Sequence, residues 1–331
     1  MANGYALVLL AGITMGCNLV PLKWMKAWKW ENFWLVYSVV SLVAMPLALA
    51  FFLLPGIAGV YASIPLRVMA MPFVYGVIWG IAQLGAGICV HRIGLGLTGS
   101  ILNGICVVCG AFVPLCVQHR ELLLRRSGLL IVAGTVVMAV GLALCGWAGR
   151  ERERETGQLQ ASGSGYVGIL ILAVVSGIMA SLLNIALAFG GDIVEKAQQA
   201  GAAPAWAPFA VWPIALAGGF ITNLGYCLYK MSRNHTWKNF GGGPREAFNP
   251  ILGGILWMGA IAIYSSGATF LGVLGFSVGW ALFQIVMILT GNVAGLLVGE
   301  WRQTPARVSR TNLEGVAILF LAVILIGAAN Y

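Results

Sequence analysis

Ten stretches of about 20 largely apolar residues recur along the chain, and they limit what it can fold into. A helix of that length crosses a bilayer, where backbone groups must bond within their own segment. The stretches are longer and less alternating than transmembrane β-strands. We therefore predict an all-α integral membrane protein with ten transmembrane helices, at residues 4–22, 32–54, 71–91, 95–118, 128–148, 166–190, 207–230, 250–270, 274–299 and 313–330.

The few charged residues lie between these stretches. Only 9% of the 331 residues are charged and 60% are hydrophobic, whereas soluble domains carry about 25% charged residues. This composition excludes a soluble enzyme and a secreted disulfide scaffold. Fourteen of the 19 Lys and Arg fall in connections on one side of the predicted bundle, which should be the cytoplasmic side. We expect both termini on the opposite side, and no nucleic-acid partner for the net charge of +9.

The sequence contains a weak internal repeat. Equivalent residues recur 178 positions apart, in the pairs Trp34 and Trp212, Gly76 and Gly254, Trp79 and Trp257, and Gly94 and Gly272. Because five helices is an odd number, a second copy enters the membrane from the other side, as in many secondary transporters. We predict two inverted five-helix repeats, 1–148 and 166–331, joined by a charged cytoplasmic linker at 149–165.

Uncharged polar residues inside the apolar stretches are the candidates for substrate binding, since polar groups are costly in lipid. Amides offer both donors and acceptors, which suits a neutral ligand rich in hydroxyl groups. A tryptophan within a span can stack on a sugar ring. The alternative for each amide is a hydrogen bond between two helices. The predicted binding residues are Asn18, Trp79, Gln83, Asn103, Asn184, Asn223, Tyr264, Trp280 and Gln284.

Four further tryptophans stand together near the start of the second stretch. Trp24, Trp28, Trp30 and Trp34 alternate with lysines. Aromatic and basic residues of this kind are typical of the membrane interface. We predict an interfacial belt there.

No acidic residue lies in the middle of a predicted helix. Proton-coupled carriers commonly use a buried carboxylate or histidine. Glu121 and Glu300 occupy matching places 179 positions apart, so they are the candidates for coupling. The alternative is a helix-end ion pair with Arg120 or Arg302. Cys106 and Cys109 have no second ligand pair beside them, so we expect neither a metal nor a cofactor.

Several segments of the chain resemble the L-rhamnose–proton symporter family, within the drug/metabolite transporter superfamily. The segments are Pro21-Leu22-Lys23 through Trp28-Lys29-Trp30-Glu31 to Trp34, Tyr75-Gly76-Val77-Ile78-Trp79-Gly80, Thr222-Asn223-Leu224-Gly225-Tyr226-Cys227 and Gly299-Glu300-Trp301. The resemblance implies a multi-pass carrier of the bacterial inner membrane that imports a 6-deoxyhexose such as L-rhamnose by proton symport.

One segment departs from that family pattern. Rhamnose carriers of the family have a Tyr-Asp pair early in the ninth span, where this chain has Gly275-Phe276-Ser277. An uncoupled sugar facilitator, or a carrier of another small metabolite, therefore remains an alternative. The sequence has no catalytic constellation and no sizeable soluble domain, which disfavours an enzyme or a sensor.

Overall fold

A computed structural model describes residues 2–93, 95–118, 120–155, 166–273, 275–297 and 304–330. All regular structure within these ranges is helical. The α-helices are α1 (Ala2–Gly16), α2 (Trp30–Val39), α3 (Met45–Leu53), α4 (Ile57–Ser63), α5 (Leu66–Ile93), α6 (Leu95–Gln118), α7 (Arg126–Glu155), α8 (Tyr166–Ala180), α9 (Leu182–Ala188), α10 (Gly191–Gln199), α11 (Trp212–Asn234), α12 (Pro244–Phe270), α13 (Gly275–Leu297) and α14 (Ala306–Gly327).

Nine segments in the described part of the chain are long and apolar enough to cross a membrane, which makes this an all-α membrane protein. They are Ala2–Leu22, Trp30–Leu53, Leu66–Val90, Leu97–Val117, Arg126–Glu155, Tyr166–Gln199, Glu246–Phe270, Gly275–Ala294 and Ala306–Gly327. Helix α11 has 23 residues but is not among these segments. It carries Pro213, Thr222 and Asn223 in its apolar run and a basic last turn.

Two of the crossing segments are interrupted near their middle. A π-helical turn, Val40–Ala44, separates α2 from α3 just before Pro46. Proline has no backbone N–H to donate to the preceding turn, and a wider turn accommodates that loss. A turn at Ser181 separates α8 from α9. Its hydroxyl donates to the carbonyl of Ile178 at 2.7 Å, so the side chain competes with the helix for this acceptor.

Small residues bring the central helices into close contact. Gly76 of α5 packs on the backbone carbonyl of Ala215 in α11. Gly254 of α12 packs on α2, where an added Cβ would lie 3.0 Å from the carbonyl oxygen of Tyr37. Gly76 and Gly254 are 178 positions apart, and so are Tyr37 and Ala215. The contact between α5 and α11 therefore has a counterpart between α12 and α2.

A second pair of contacts is built in the same way. An added Cβ at Gly16 of α1 would lie 2.8 Å from the Met287 carbonyl oxygen and 2.5 Å from the Thr290 Cβ on α13. At Gly177 of α8 it would lie 3.0 Å from the Leu102 carbonyl oxygen and 2.8 Å from the Ile105 Cβ on α6. In both cases the glycine rests on a carbonyl and on the side chain three residues further along.

Helices α7 and α14 run antiparallel along most of their length. Gly134 packs on Ile326, and Gly141 packs on Leu319. Further along α7, Cys145 contacts Gly315. Later residues of α7 thus contact earlier residues of α14, as expected for antiparallel helices. At one face of the bundle, the Tyr5 hydroxyl near the start of α1 donates to the carbonyl of Gly327 at the end of α14, at 2.7 Å. The start of α1 and the end of α14 therefore lie at the same face of the bundle.

The predicted linker begins later than expected. The sequence places the end of the fifth helix at residue 148, but α7 continues to Glu155. The alternating Arg and Glu of this segment are good helix formers. Residues 156–165 lie outside the described residues.

Candidate functional site

Two buried tryptophans from α5 and α12 meet inside the bundle. The rings of Trp79 and Trp257 have centroids 5.8 Å apart and are inclined by 38°. Trp79 also rests against Gly219 of α11, where an added Cβ would lie 2.7 Å from the ring. The absence of a side chain at Gly219 lets the indole lie flat on the helix. These two rings mark where the predicted halves touch.

A buried polar group joins three helices, α6, α9 and α12. The side-chain nitrogen of Asn184 in α9 donates to the carbonyl of Gly110 in α6 at 2.9 Å. Its side-chain oxygen accepts from the Tyr264 hydroxyl of α12 at 2.6 Å. Both side chains are fully buried. A buried amide with both groups bonded fixes the relative position of these helices.

Helix α13 adds two more of the predicted residues to this group. Trp280 lies edge-on to Tyr264, with centroids 5.6 Å apart, and its indole nitrogen donates to the Cys106 carbonyl at 3.4 Å. One turn later, the Gln284 amide lies 3.7 Å from the Cys106 sulfur. Sulfur is a weak acceptor, so Gln284 is free to exchange this contact for a better one.

A second polar group lies between α1, α2 and α11. Asn18 donates to the Tyr37 hydroxyl at 2.9 Å. The side-chain oxygen of Asn223 accepts from the Trp34 indole at 2.7 Å, and its nitrogen donates to the Gly219 carbonyl at 2.8 Å. Trp34 in turn stacks on Tyr37, with centroids 5.0 Å apart. This group contains two of the predicted amides and two aromatic residues outside the predicted set.

The remaining two predicted residues, Gln83 and Asn103, are half-buried. Gln83 lies one turn beyond Trp79 on α5, and Asn103 lies one turn before Cys106 on α6. Within the described residues, neither side chain makes a hydrogen bond. They are therefore the amides most available to a ligand in this conformation.

The prediction of an interfacial belt is only partly right. Trp24 and Trp30 are exposed. Trp28 is buried against Phe240, with centroids 5.1 Å apart, and Trp34 bonds to Asn223 inside the bundle. Residues beyond the end of α1 pack on α12 and on the connection that follows α11, which the local composition does not reveal.

A cavity of about 460 Å³ opens elsewhere, between α6 and α7. Its lining is apolar except for Ser100 and Arg150. None of the nine predicted binding residues lines it. The predicted amides are hence packed between helices or half-buried in the conformation described, and they do not face this cavity.

Comparison with known proteins identifies the family. The family model for L-rhamnose-proton symport protein (RhaT) matches residues 2–330. The chain belongs to this family. An L-rhamnose-proton symporter of Mannheimia succiniciproducens is 26% identical over 330 residues, covering 94% of this chain and 93% of the relative. One of Shigella flexneri is 27% identical over 333 residues, covering 97% and 96%. The family is one of transporters rather than enzymes, and its member here is a multi-pass inner-membrane protein.

A family named for proton symport directs attention to buried carboxylates. Three occur within the described residues, at Glu31, Glu153 and Glu246, and the sequence analysis identified none of them as a candidate. Glu31 and Glu246 stand near helix starts, where an acidic residue is normally solvated, yet their exposed fractions are only 5% and 8%. By contrast, the predicted coupling residue Glu121 is exposed, in a short turn between α6 and α7. Glu300 lies outside the described residues. Within the described part of the chain, no cluster of side chains could hold a metal ion.

Proposed function

We propose that the chain imports L-rhamnose together with protons, by alternating access between two five-helix halves. One observation carries the proposal: the family model matches the chain from residue 2 to residue 330. The relatives that it resembles are named L-rhamnose-proton symporters and align over nearly their whole length.

The packing supports two inverted repeats, residues 1–148 and 166–331. Gly76 on Ala215 and Gly254 on Tyr37 are the same contact made twice with the halves exchanged. The antiparallel course of α7 and α14, the last helices of each half, is what inverted copies require. Two halves that pack alike can exchange conformations, which opens the carrier to one side and then to the other.

Ten crossings fit the ends of the chain better than nine. Tyr5 and Gly327 are hydrogen-bonded at one face, which requires an even number of crossings between them. Helix α11 supplies the tenth, since its 23 residues extend about 34 Å at 1.5 Å per residue. It is packed against α5, α2 and α3, and a helix with that much protein contact needs fewer apolar residues.

The sugar site is the pair Trp79 and Trp257 together with the polar groups beside it. The predicted amides are uncharged, which suits a neutral sugar. On binding, Asn184 and Asn223 exchange their interhelical hydrogen bonds for hydrogen bonds to sugar hydroxyls. The hydrogen bonds between helices therefore compete with those to the sugar. Gln83, Asn103 and Gln284 have weak or no partners among the described residues and give the first contacts.

The start of α13 departs from the family pattern, and this departure is the reason to test a second candidate, a carrier of a related 6-deoxyhexose or an uncoupled facilitator. Gly275 packs on the carbonyl of Ala268 and leaves no room for a side chain. Ser277 is buried. The acidic residue expected here from the family resemblance is therefore replaced by small residues in a tight contact.

Purified protein in proteoliposomes tests the proposal. We expect saturable uptake of labelled L-rhamnose, accumulation when the outside is made acidic, and competition by other 6-deoxyhexoses weaker than by L-rhamnose itself. Protein-free liposomes are the control. Uptake that merely equilibrates, with or without the pH gradient, would support the facilitator. No uptake of any monosaccharide would contradict both candidates.

A further inference from the structure

Two connections on one face hold each other through the buried carboxylates. Glu246, in the first turn of α12, accepts the backbone N–H of Lys26 at 3.2 Å and that of Trp28 at 3.3 Å, in the connection between α1 and α2. Glu31, in the first turn of α2, accepts from Asn234 and Thr236 after α11, both at 3.0 Å. Each carboxylate thus accepts hydrogen bonds from the connection that belongs to the other half. We call these two carboxylates and their partners the latch.

The opposite face is closed differently. There the short helices α4 and α10 pack through buried apolar residues, among them Ile57, Val60 and Ile193. The Tyr61 hydroxyl donates to the carbonyl of Ala210 at 2.9 Å. Neither an apolar contact nor this hydrogen bond depends on an ionised group. Closure by ionised carboxylates is hence a property of the latch face.

We propose that Glu246 carries the proton that this carrier couples to sugar import, an inference that rests on the proposed proton symport. An ionised carboxylate is favoured by backbone N–H donors, and the neutral acid is favoured when those donors leave and the surroundings stay apolar. Binding of one proton to a carboxylate oxygen of Glu246 removes the charge that strengthens its hydrogen bonds and so weakens the contacts with Lys26 and Trp28. Loss of that proton to water lets the latch form again.

Glu31 is a positioning residue. Its carboxylate accepts from the side chains of Asn234 and Thr236 and from its own backbone N–H, and the Lys230 ammonium acts on it electrostatically. That cation remains on α11 when the connections separate, and so keeps Glu31 ionised. The donors of Glu246 are backbone N–H groups of the connection itself, so Glu246 loses them when the connections separate. Around the latch, the charged and titratable residues of the packed segments are Lys23, Lys26, Lys29, Cys227, Lys230, Arg233, His235, Lys238 and Arg245.

The burial of Glu246 gives the coupling a direction. With an exposed fraction of 8%, the carboxylate is shielded from water at the latch face while the latch is closed. A proton must then arrive from the interior, when the carrier is open to the opposite side. Opening of the latch face afterwards releases proton and sugar to the same side, as symport requires.

Two transport assays on proteoliposomes test the role of Glu246. Counterflow of labelled L-rhamnose without a gradient measures binding and alternation, and accumulation driven by an acidic exterior measures coupling. We expect E246Q to keep counterflow and to lose accumulation, since the amide cannot bind the proton. E246D should keep both, and so should E314Q, which alters an exposed carboxylate paired with Arg310. Accumulation by E246Q equal to that of the unmodified carrier would overturn the proposal.

Hydrogen exchange provides a second readout on the unmodified carrier. The amides of Lys26 and Trp28 should be protected at neutral pH and lose protection at acidic pH, after correction for intrinsic exchange rates. Unchanged protection across that range would overturn the proposal even if E246Q loses all transport. Absence of L-rhamnose counterflow from the unmodified protein would instead contradict the proposed function, and the exchange measurement would still decide whether protonation opens the latch.

Discussion

Trp79 of α5 and Trp257 of α12 stand 178 positions apart in the sequence and lie in direct contact, 5.8 Å between ring centroids. In the proposed inverted repeat the two residues are equivalent, and a residue touches its own equivalent only where both halves approach a common axis. Alternating access as proposed would move the two halves relative to each other at this contact. Aromatic faces bind the apolar side of sugar rings as well as one another.

Replacing either ring should abolish transport. We expect W79A and W257A to lose L-rhamnose counterflow and to be destabilised by about 3–5 kcal/mol, the usual cost of removing a buried Trp. W257F retains an aromatic face and separates the two effects, since it should fold and bind the sugar more weakly. W24A changes an exposed tryptophan and should behave like the unmodified protein. Unchanged affinity in W257F would exclude stacking on this ring.

The sequence predicts this pair only in part. The offset of 178 positions identifies Trp79 and Trp257 as equivalents, and the hydropathy places both within spans. Their contact could not be predicted, because periodicity along one helix says which residues share a face but not which helix lies opposite. The same limit applies to Asn184 and Asn223, whose partners come from segments 74 and 189 positions away.

A methyl group at Gly76 should separate α5 from α11. The added Cβ would overlap the Ala215 carbonyl, which is backbone and cannot turn aside. We therefore expect G76A to lower the thermal unfolding temperature and to abolish transport. Gly259 lies within α12 with open space around it, and G259A should be neutral or stabilising, because alanine favours helix by about 1 kcal/mol over glycine. Equal unfolding temperatures for the two variants would contradict the close approach.

The burial of two acidic residues could not be predicted from the local sequence. Glu31 and Glu246 occur in polar segments near helix starts, and such segments are normally solvated. Their burial arises because residues 26–28 pack on Glu246 and residues 234–236 pack on Glu31, pairings that span more than 200 positions. Composition identifies the spans because each helix that crosses the lipid must be apolar and must satisfy its own backbone hydrogen bonds. It contains no comparable signal for how the connections pair.

The hydroxyl of Tyr264 should stabilise the bundle and restrain Asn184. In Y264F the Asn184 side-chain oxygen loses its donor while remaining fully buried. Such a loss costs about 1–3 kcal/mol in proteins generally and about 0.6 kcal/mol on average between membrane helices. We expect a lower unfolding temperature, restored in part by L-rhamnose, whose hydroxyl groups can replace the donor. Y229F removes an exposed hydroxyl bonded to Arg233 and should leave the unfolding temperature unchanged.

The shared face of Tyr5 and Gly327 predicts the membrane topology. Basic residues concentrate on the connections of the latch face, including Lys26, Lys29 and Lys238, so that face should be cytoplasmic. Alkaline phosphatase, which is active only in the periplasm, should therefore be active when fused after residue 331 and inactive when fused after Gly241. A green fluorescent protein fused at the same two places should give the reverse pattern. Phosphatase activity at Gly241 would reverse the orientation. A third outcome is possible, in which the N-terminus is accessible from outside and the C-terminal fusion is cytoplasmic. That outcome would require an odd number of crossings, and α11 would then not cross the membrane.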